Sequence, residues 1–119
     1  MLRDPELLLE DILECTEKIQ AYLQGVTKPS FMANGILQDA VVRNLEIIGE
    51  AAKGLPASFQ DQYPEIQWRK IIALRNILAH VYFGIDNEII WDLATREIPL
   101  LKSRIVAILD RKKPGPEEI

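Results

Sequence analysis

The stretch "RNILAHVY", residues 75 to 82, holds the only histidine in the chain. Arg75 precedes His80 by five positions, and Tyr82 follows it by two. An imidazole with an unperturbed pKa of about 6.5 can take or give a proton near neutral pH. A guanidinium stays cationic there and presents a planar fork of donors to negatively charged oxygen. The pair therefore suits proton transfer beside developing negative charge. The same residues also fit plain architecture, with His80 packed in a core or placing its charge near the helix end marked by Gly84. Spacing alone leaves both readings open.

The elements that must hold these residues are helical almost throughout. Asp4-Pro5 reads as a cap and first helical position, and Leu8, Ile12, Ile19 and Leu23 recur at helical spacing until Gly25 stops the helix. "VTKPSF" is a short connection in which Ser30 is a candidate cap, and a longer helix spans about Asn34 to Lys53 before Gly54. Gly49 lies inside that helix, where glycine costs about 1 kcal/mol relative to alanine. Another backbone packed closely on "GEAA" is the expected compensation, and a ligand approaching Gly49 is the alternative.

A small helix is expected at about 56 to 62, then one from about Ile66 to Tyr82 carrying the octapeptide and ending at Gly84. Asp86 caps the last stretch, in which Ile89, Ile90, Leu93, Ile98, Leu101, Ile105 and Ile108 keep helical spacing to Arg111. Pro99 must kink this stretch or start a new helix after Arg96. Neither a repeat nor a long strand-period segment interrupts the pattern. The expected fold is all-α: an antiparallel bundle of four main helices plus a short helix, with residues 1–113 as one domain and 114–119 as a solvated tail.

Placed at about 100° per residue, Ile71, Leu74, Ile77, Leu78 and Val81 share one face of the octapeptide helix, which is the expected core face. The other arc carries Tyr82, Arg75, Ala79, Ile72, Asn76 and His80. A plain solvated face more often carries Glu and Lys, so this stripe is expected to meet a second subunit, a partner protein or a substrate.

Composition narrows the classes. With 48% hydrophobic and 27% charged residues, the 119-residue chain has the profile of a soluble globular protein. One cysteine, Cys15, permits no internal disulfide, and acidic residues interrupt every apolar run; a cytoplasmic protein away from the membrane is expected. Fourteen basic against eighteen acidic residues give a net charge of −4, which argues against a broad basic nucleic-acid surface and confines any such contact to a local one. Trp68 and Trp91 read as core or interface anchors. Paired carboxylates such as Glu10 and Asp11 lack a second ligand set, so neither a metal nor a cofactor is expected.

"RNILAHVY" matches an R-x-x-x-x-H-x-Y pattern, and "AVVRNLEIIGEAAKGLP", "YPEIQWRKIIALRN" and "YFGIDNEIIWDLA" stand around it in order. In these stretches, across about residues 4 to 110, the chain resembles the HepT-like branch of the HEPN superfamily. The resemblance implies a small all-α bundle that dimerises so that two motifs face one cleft, and a metal-independent endoribonuclease acting as the toxin of a type VII-like toxin-antitoxin pair. It implies Arg75 and His80 as the catalytic pair, Asn76 as a supporting polar group, and Tyr82 as a second supporting residue and the site of adenylylation by an MntA-like nucleotidyltransferase antitoxin.

Geometry agrees with the need for two copies. On one ideal helix Arg75 and His80 point about 140° apart and stand roughly 7.5 Å apart along the axis, too divergent for one compact site. A two-fold homodimer brings symmetric stripes together. Arg43, Lys53, Arg69 and Lys70 are candidates for a local basic rim that meets the RNA substrate. The alternative reading is a non-catalytic nucleotide-binding or regulatory partner of a minimal nucleotidyltransferase, with the stripe serving only as an interface.

Overall fold

Asp4 opens the first helix by accepting the Glu6 amide at 2.8 Å, and Pro5 occupies the first position, where no backbone donor is needed. The computed structural model describes residues 4–79 and 86–112, and the side chains of residues 4–76 and 86–111. Its elements are helices α1 (Pro5–Leu23), α2 (Lys28–Met32), α3 (Gly35–Lys53), α4 (Ala57–Asp61), α5 (Trp68–Ile72), α6 (Leu74–Ala79), α7 (Asn87–Asp92) and α8 (Ile98–Lys112), with one π turn, Leu93–Glu97, between the last two. Among the described residues there is no strand, as the all-α expectation required.

The long helices start and stop where their sequences direct. Asn34 accepts the Leu37 amide at 3.0 Å and caps α3. Gly25, just past α1, has φ +75, a conformation that a side chain makes costly. The connection between α1 and α3 departs from expectation. It contains its own helix, α2, capped by Thr27 rather than Ser30. Ser30 Oγ instead accepts from the Thr27 amide at 3.1 Å, the reciprocal pairing of a capping box.

The helix expected over 66–82 is also modified. α5 starts at Trp68 and gives way at Ala73 to α6, where the Asn76 amide donates to Ala73 O at 2.9 Å, a tighter turn than the α-helical one. The expected end at Tyr82 and Gly84 lies outside the described residues. At the other junction a new α-helix, α8, starts at Ile98 with Pro99 as its second residue, the second of the two expected outcomes, and a wider turn leads into it. The preceding turn widens, the Ile98 amide donates to Leu93 O, and the chain avoids the clash that the proline ring would make with Thr95 O.

The helices pack in the order α5/α6, α3, α1, α8. Leu8 near the start of α1 lies against Gly54 at the end of α3, and Lys102 early in α8 donates to Gln20 late in α1 at 3.1 Å, so α1 runs antiparallel to both neighbours. Between them Leu9, Ile12 and Ile19 meet Val41, Leu45, Ile48, Ile105 and Ile108, all without measurable exposure. Burying such side chains is worth about 1.5–3 kcal/mol each, so this seam carries most of the fold. Asn44 and Thr16, the buried polar residues, donate to Ala40 O and Leu13 O on their own helices.

Both tryptophans are structural anchors. Trp68 is buried, with Nε1 donating to Gln60 O and Tyr63 O at 3.1 Å each, and the Trp91 ring packs on buried Phe31 at 5.2 Å. Cys15 is buried too, and burial pushes its thiol up, against the opposing pull of Lys18. Among the described residues no helix is long and apolar enough to cross a membrane.

Candidate functional site

Arg75 is the second residue of α6, and α3 determines where it stands. A Cβ placed on Gly49 would lie 2.6 Å from Arg75 N, 3.1 Å from Ile71 O and 3.2 Å from Arg75 Cβ. Those distances leave room for hydrogen only. The mid-helix glycine is thus explained by a neighbouring backbone, as expected, and that backbone belongs to the arginine of the octapeptide. The tightened turn at Ala73 lies inside the same contact, between Ile71 and Arg75.

The side chain of Arg75 continues along α3 to the next residue. Its Nε lies 3.0 Å from Glu50 Oε1, an ion pair joining α6 to α3. The two side chains are 32% and 54% exposed, so water screens the pair and its worth to stability is at most about 1 kcal/mol. The geometry matters more than the energy. Contact at Nε leaves the two terminal amines of the guanidinium to form a fork for an anion.

Sequence reasoning did not single out Glu50. Its signal was present only indirectly, as the residue following the out-of-place glycine. Asn76 follows Arg75 and is exposed, while His80 and Tyr82 lie outside the described residues. On the expected core face, Leu74 is buried and Ile71 half-buried; Ile72, placed on the opposite arc, is half-buried and also packs against the core. The remaining members of both arcs have side chains outside the described set.

The four candidate rim residues are all exposed, two on α3 and two on α5. Arg43 is held within its own helix by Glu46 at 2.6 Å, and Lys53 stands in the last turn of α3. Arg69 and Lys70 lie on α5, and Lys70 lines a groove of about 460 Å³ between α5 and the α7–α8 stretch. Ile71, Leu74 and Leu93 give this groove an apolar floor, and Arg96 and Arg104 add cations that the sequence did not suggest. Arg75 and Asn76 do not line it. Among the described residues no group of three or more His, Cys, Asp or Glu side chains is placed to hold a metal ion.

Known proteins give the geometry a context. Residues 12–108 match the family described as Ribonuclease HepT-like. A protein of Methanocaldococcus jannaschii named "Gamma-glutamylcyclotransferase and putative RNase" is 40% identical over 110 residues, covering 92% of this chain and 50% of that protein. The chain thus spans half the length of that relative. A "Probable ribonuclease HepT" of Thermococcus cleftensis is 39% identical over 104 residues, covering 87% of this chain and 94% of the other. No solved structure matches.

Proposed function

The chain belongs to the HepT-like ribonuclease family, and on that premise we propose that it cleaves RNA internally, without a metal ion, at a site shared by two copies of the chain. The observation that carries this reading is the setting of Arg75. Its backbone is fixed against Gly49, and its charge stands partly exposed at the surface, next to exposed Asn76.

RNA brings its own nucleophile. The 2′-hydroxyl attacks the adjacent phosphorus, an O2′–P bond forms and the P–O5′ bond breaks, leaving a 2′,3′-cyclic phosphate and a 5′-hydroxyl. One imidazole of a His80 pair takes the proton from the 2′-hydroxyl, and the other gives a proton to the departing 5′ oxygen. Arg75 answers the charge that grows on the non-bridging phosphate oxygens. Asn76 donates to the phosphate or orients His80. Because Arg75 and His80 would diverge on one ideal helix, the homodimer completes the site.

The protein then acts in the cytoplasm as the toxin of a type VII-like pair. Adenylylation of Tyr82 by an MntA-like nucleotidyltransferase antitoxin places a bulky anion in the cleft and repels the RNA backbone. Net charge −4 is compatible with this activity because only the cleft needs to be basic.

The test is RNA cleavage in EDTA by the native protein, Arg75→Ala and His80→Ala, each checked for folding and dimer formation. The expected result is a rate loss of about 10²-fold or more in both variants, with cyclic phosphate ends from the native protein. A strict divalent-metal requirement, or cleavage at the native rate by either variant, overturns the mechanism. A Tyr82→Phe arm is expected to escape covalent neutralisation, and full neutralisation of that variant overturns the adenylylation step.

A further inference from the structure

We infer that Glu50 is a positioning residue for Arg75, and that the consecutive residues Gly49 and Glu50 act together as the seat that aims its guanidinium. This inference rests on the proposed ribonuclease site and deepens it.

Three ion pairs join different parts of the fold among the described residues. Lys28 to Glu88 is 3.7 Å and Arg111 to Glu65 is 3.9 Å, whereas Arg75 to Glu50 is 3.0 Å and the shortest. This pair also stands on the most constrained backbone contact that any glycine makes among the described residues, 2.6 Å from a Gly49 Cβ to Arg75 N. Gly49 therefore fixes where the arginine begins, and Glu50 fixes which way it extends. An unrestrained arginine samples many rotamers, each placing its fork elsewhere, and a misplacement of about 1 Å at a catalytic group can cost about 10²-fold in rate. At the exposure of this pair, its contribution to stability is small. Its effect should fall on the aim of Arg75 instead.

A carboxylate this close to an RNA-binding cleft also repels phosphate. Glu50 as a bystander and Glu50 as a seat therefore predict opposite signs. Removing a bystander charge tightens RNA binding and leaves kcat intact or raised. Removing the seat lowers kcat while KM stays level or falls, because the ground state loses a repulsion as the transition state loses its oriented cation.

The experiment uses the full-length protein and its Glu50→Ala, Glu50→Gln and Glu50→Asp variants beside Arg75→Ala. Two readouts are needed: the Arg75 Nε–Hε resonance without RNA, and kcat and KM for a defined RNA. Glu50→Ala is expected to move that resonance toward the position of a free arginine and to lower kcat by about 10- to 100-fold without raising KM. Glu50→Gln, which keeps the volume and loses the charge, is expected to follow it; Glu50→Asp should recover part of kcat. Unchanged kcat in Glu50→Ala with Arg75→Ala inactive overturns the positioning role and leaves the ribonuclease reading standing, as does an unmoved Arg75 resonance. Arg75→Ala cleaving at the native rate overturns both.

Discussion

α1 and α3 are 19 residues each and side-chain capped, whereas α5, which leads towards the octapeptide, is five residues long with no side-chain cap. The first pair meets through a dry seam of Leu, Ile and Val side chains. α6 meets α3 through backbone, at a glycine, with charged side chains beside the contact. A helix of five residues is too short to be stable alone. Its position is therefore borrowed from α3, which also places Arg75 through the backbone contact at Gly49.

That division of labour can be broken from either side. Ile12→Ala empties a fully buried position between α1 and its neighbours and is expected to lower stability by about 2–5 kcal/mol, the largest such effect considered. Measured by urea unfolding and by cleavage per folded molecule, it should leave the second almost untouched. Equal losses in both would show that scaffold and site are not separable.

Gly49→Ala inverts the pattern. The added Cβ meets a backbone nitrogen that cannot rotate away, so about 1–3 kcal/mol of overpacking is set against about 1 kcal/mol of improved helix propensity. The net loss of stability is expected to be smaller than for Ile12→Ala, while cleavage falls much further because Arg75 moves. Native cleavage by a folded Gly49→Ala protein would remove the seam from the account of the site. Gly35→Ala closes the series. At the exposed start of α3 an added Cβ meets nothing within 4 Å, and a gain of about 0.4–1 kcal/mol with unchanged cleavage is expected. A loss there would mean that the start of α3 also bears on the site.

The same contrast explains what the sequence made legible. Asp4-Pro5, Asn34 and Gly25 announce the limits of α1 and α3 because caps and left-handed stops are local chemistry. Gly49 also announced its close contact, since a glycine in mid-helix needs a local reason. The turn at Ala73 stayed hidden: Ala73 breaks no helix by itself, and the turn falls within the contact to another helix. Thr27 displaced Ser30 as cap because the proline after Lys28 favours a helix start there, three residues earlier than a cap at Ser30 would give. Glu50 and Arg75 are 25 positions apart, and only the packing of α3 on α6 makes them a pair. The family resemblance supplied roles for Arg75 and His80 that periodicity alone left open.

The π turn at Leu93–Glu97 has a further consequence, one of phase. Ile90 and Ile98 are both buried, yet eight residues of α-helix would rotate one from the other by about 80°. The wider turn absorbs roughly one residue's worth of rotation and returns both side chains to the same side. The segment behaves like a leap day, an extra unit that keeps two calendars aligned. Forcing the same residues into a regular α-helix would swing Leu101, Ile105 and Ile108 away from α1, whereas removing one residue would keep their phase.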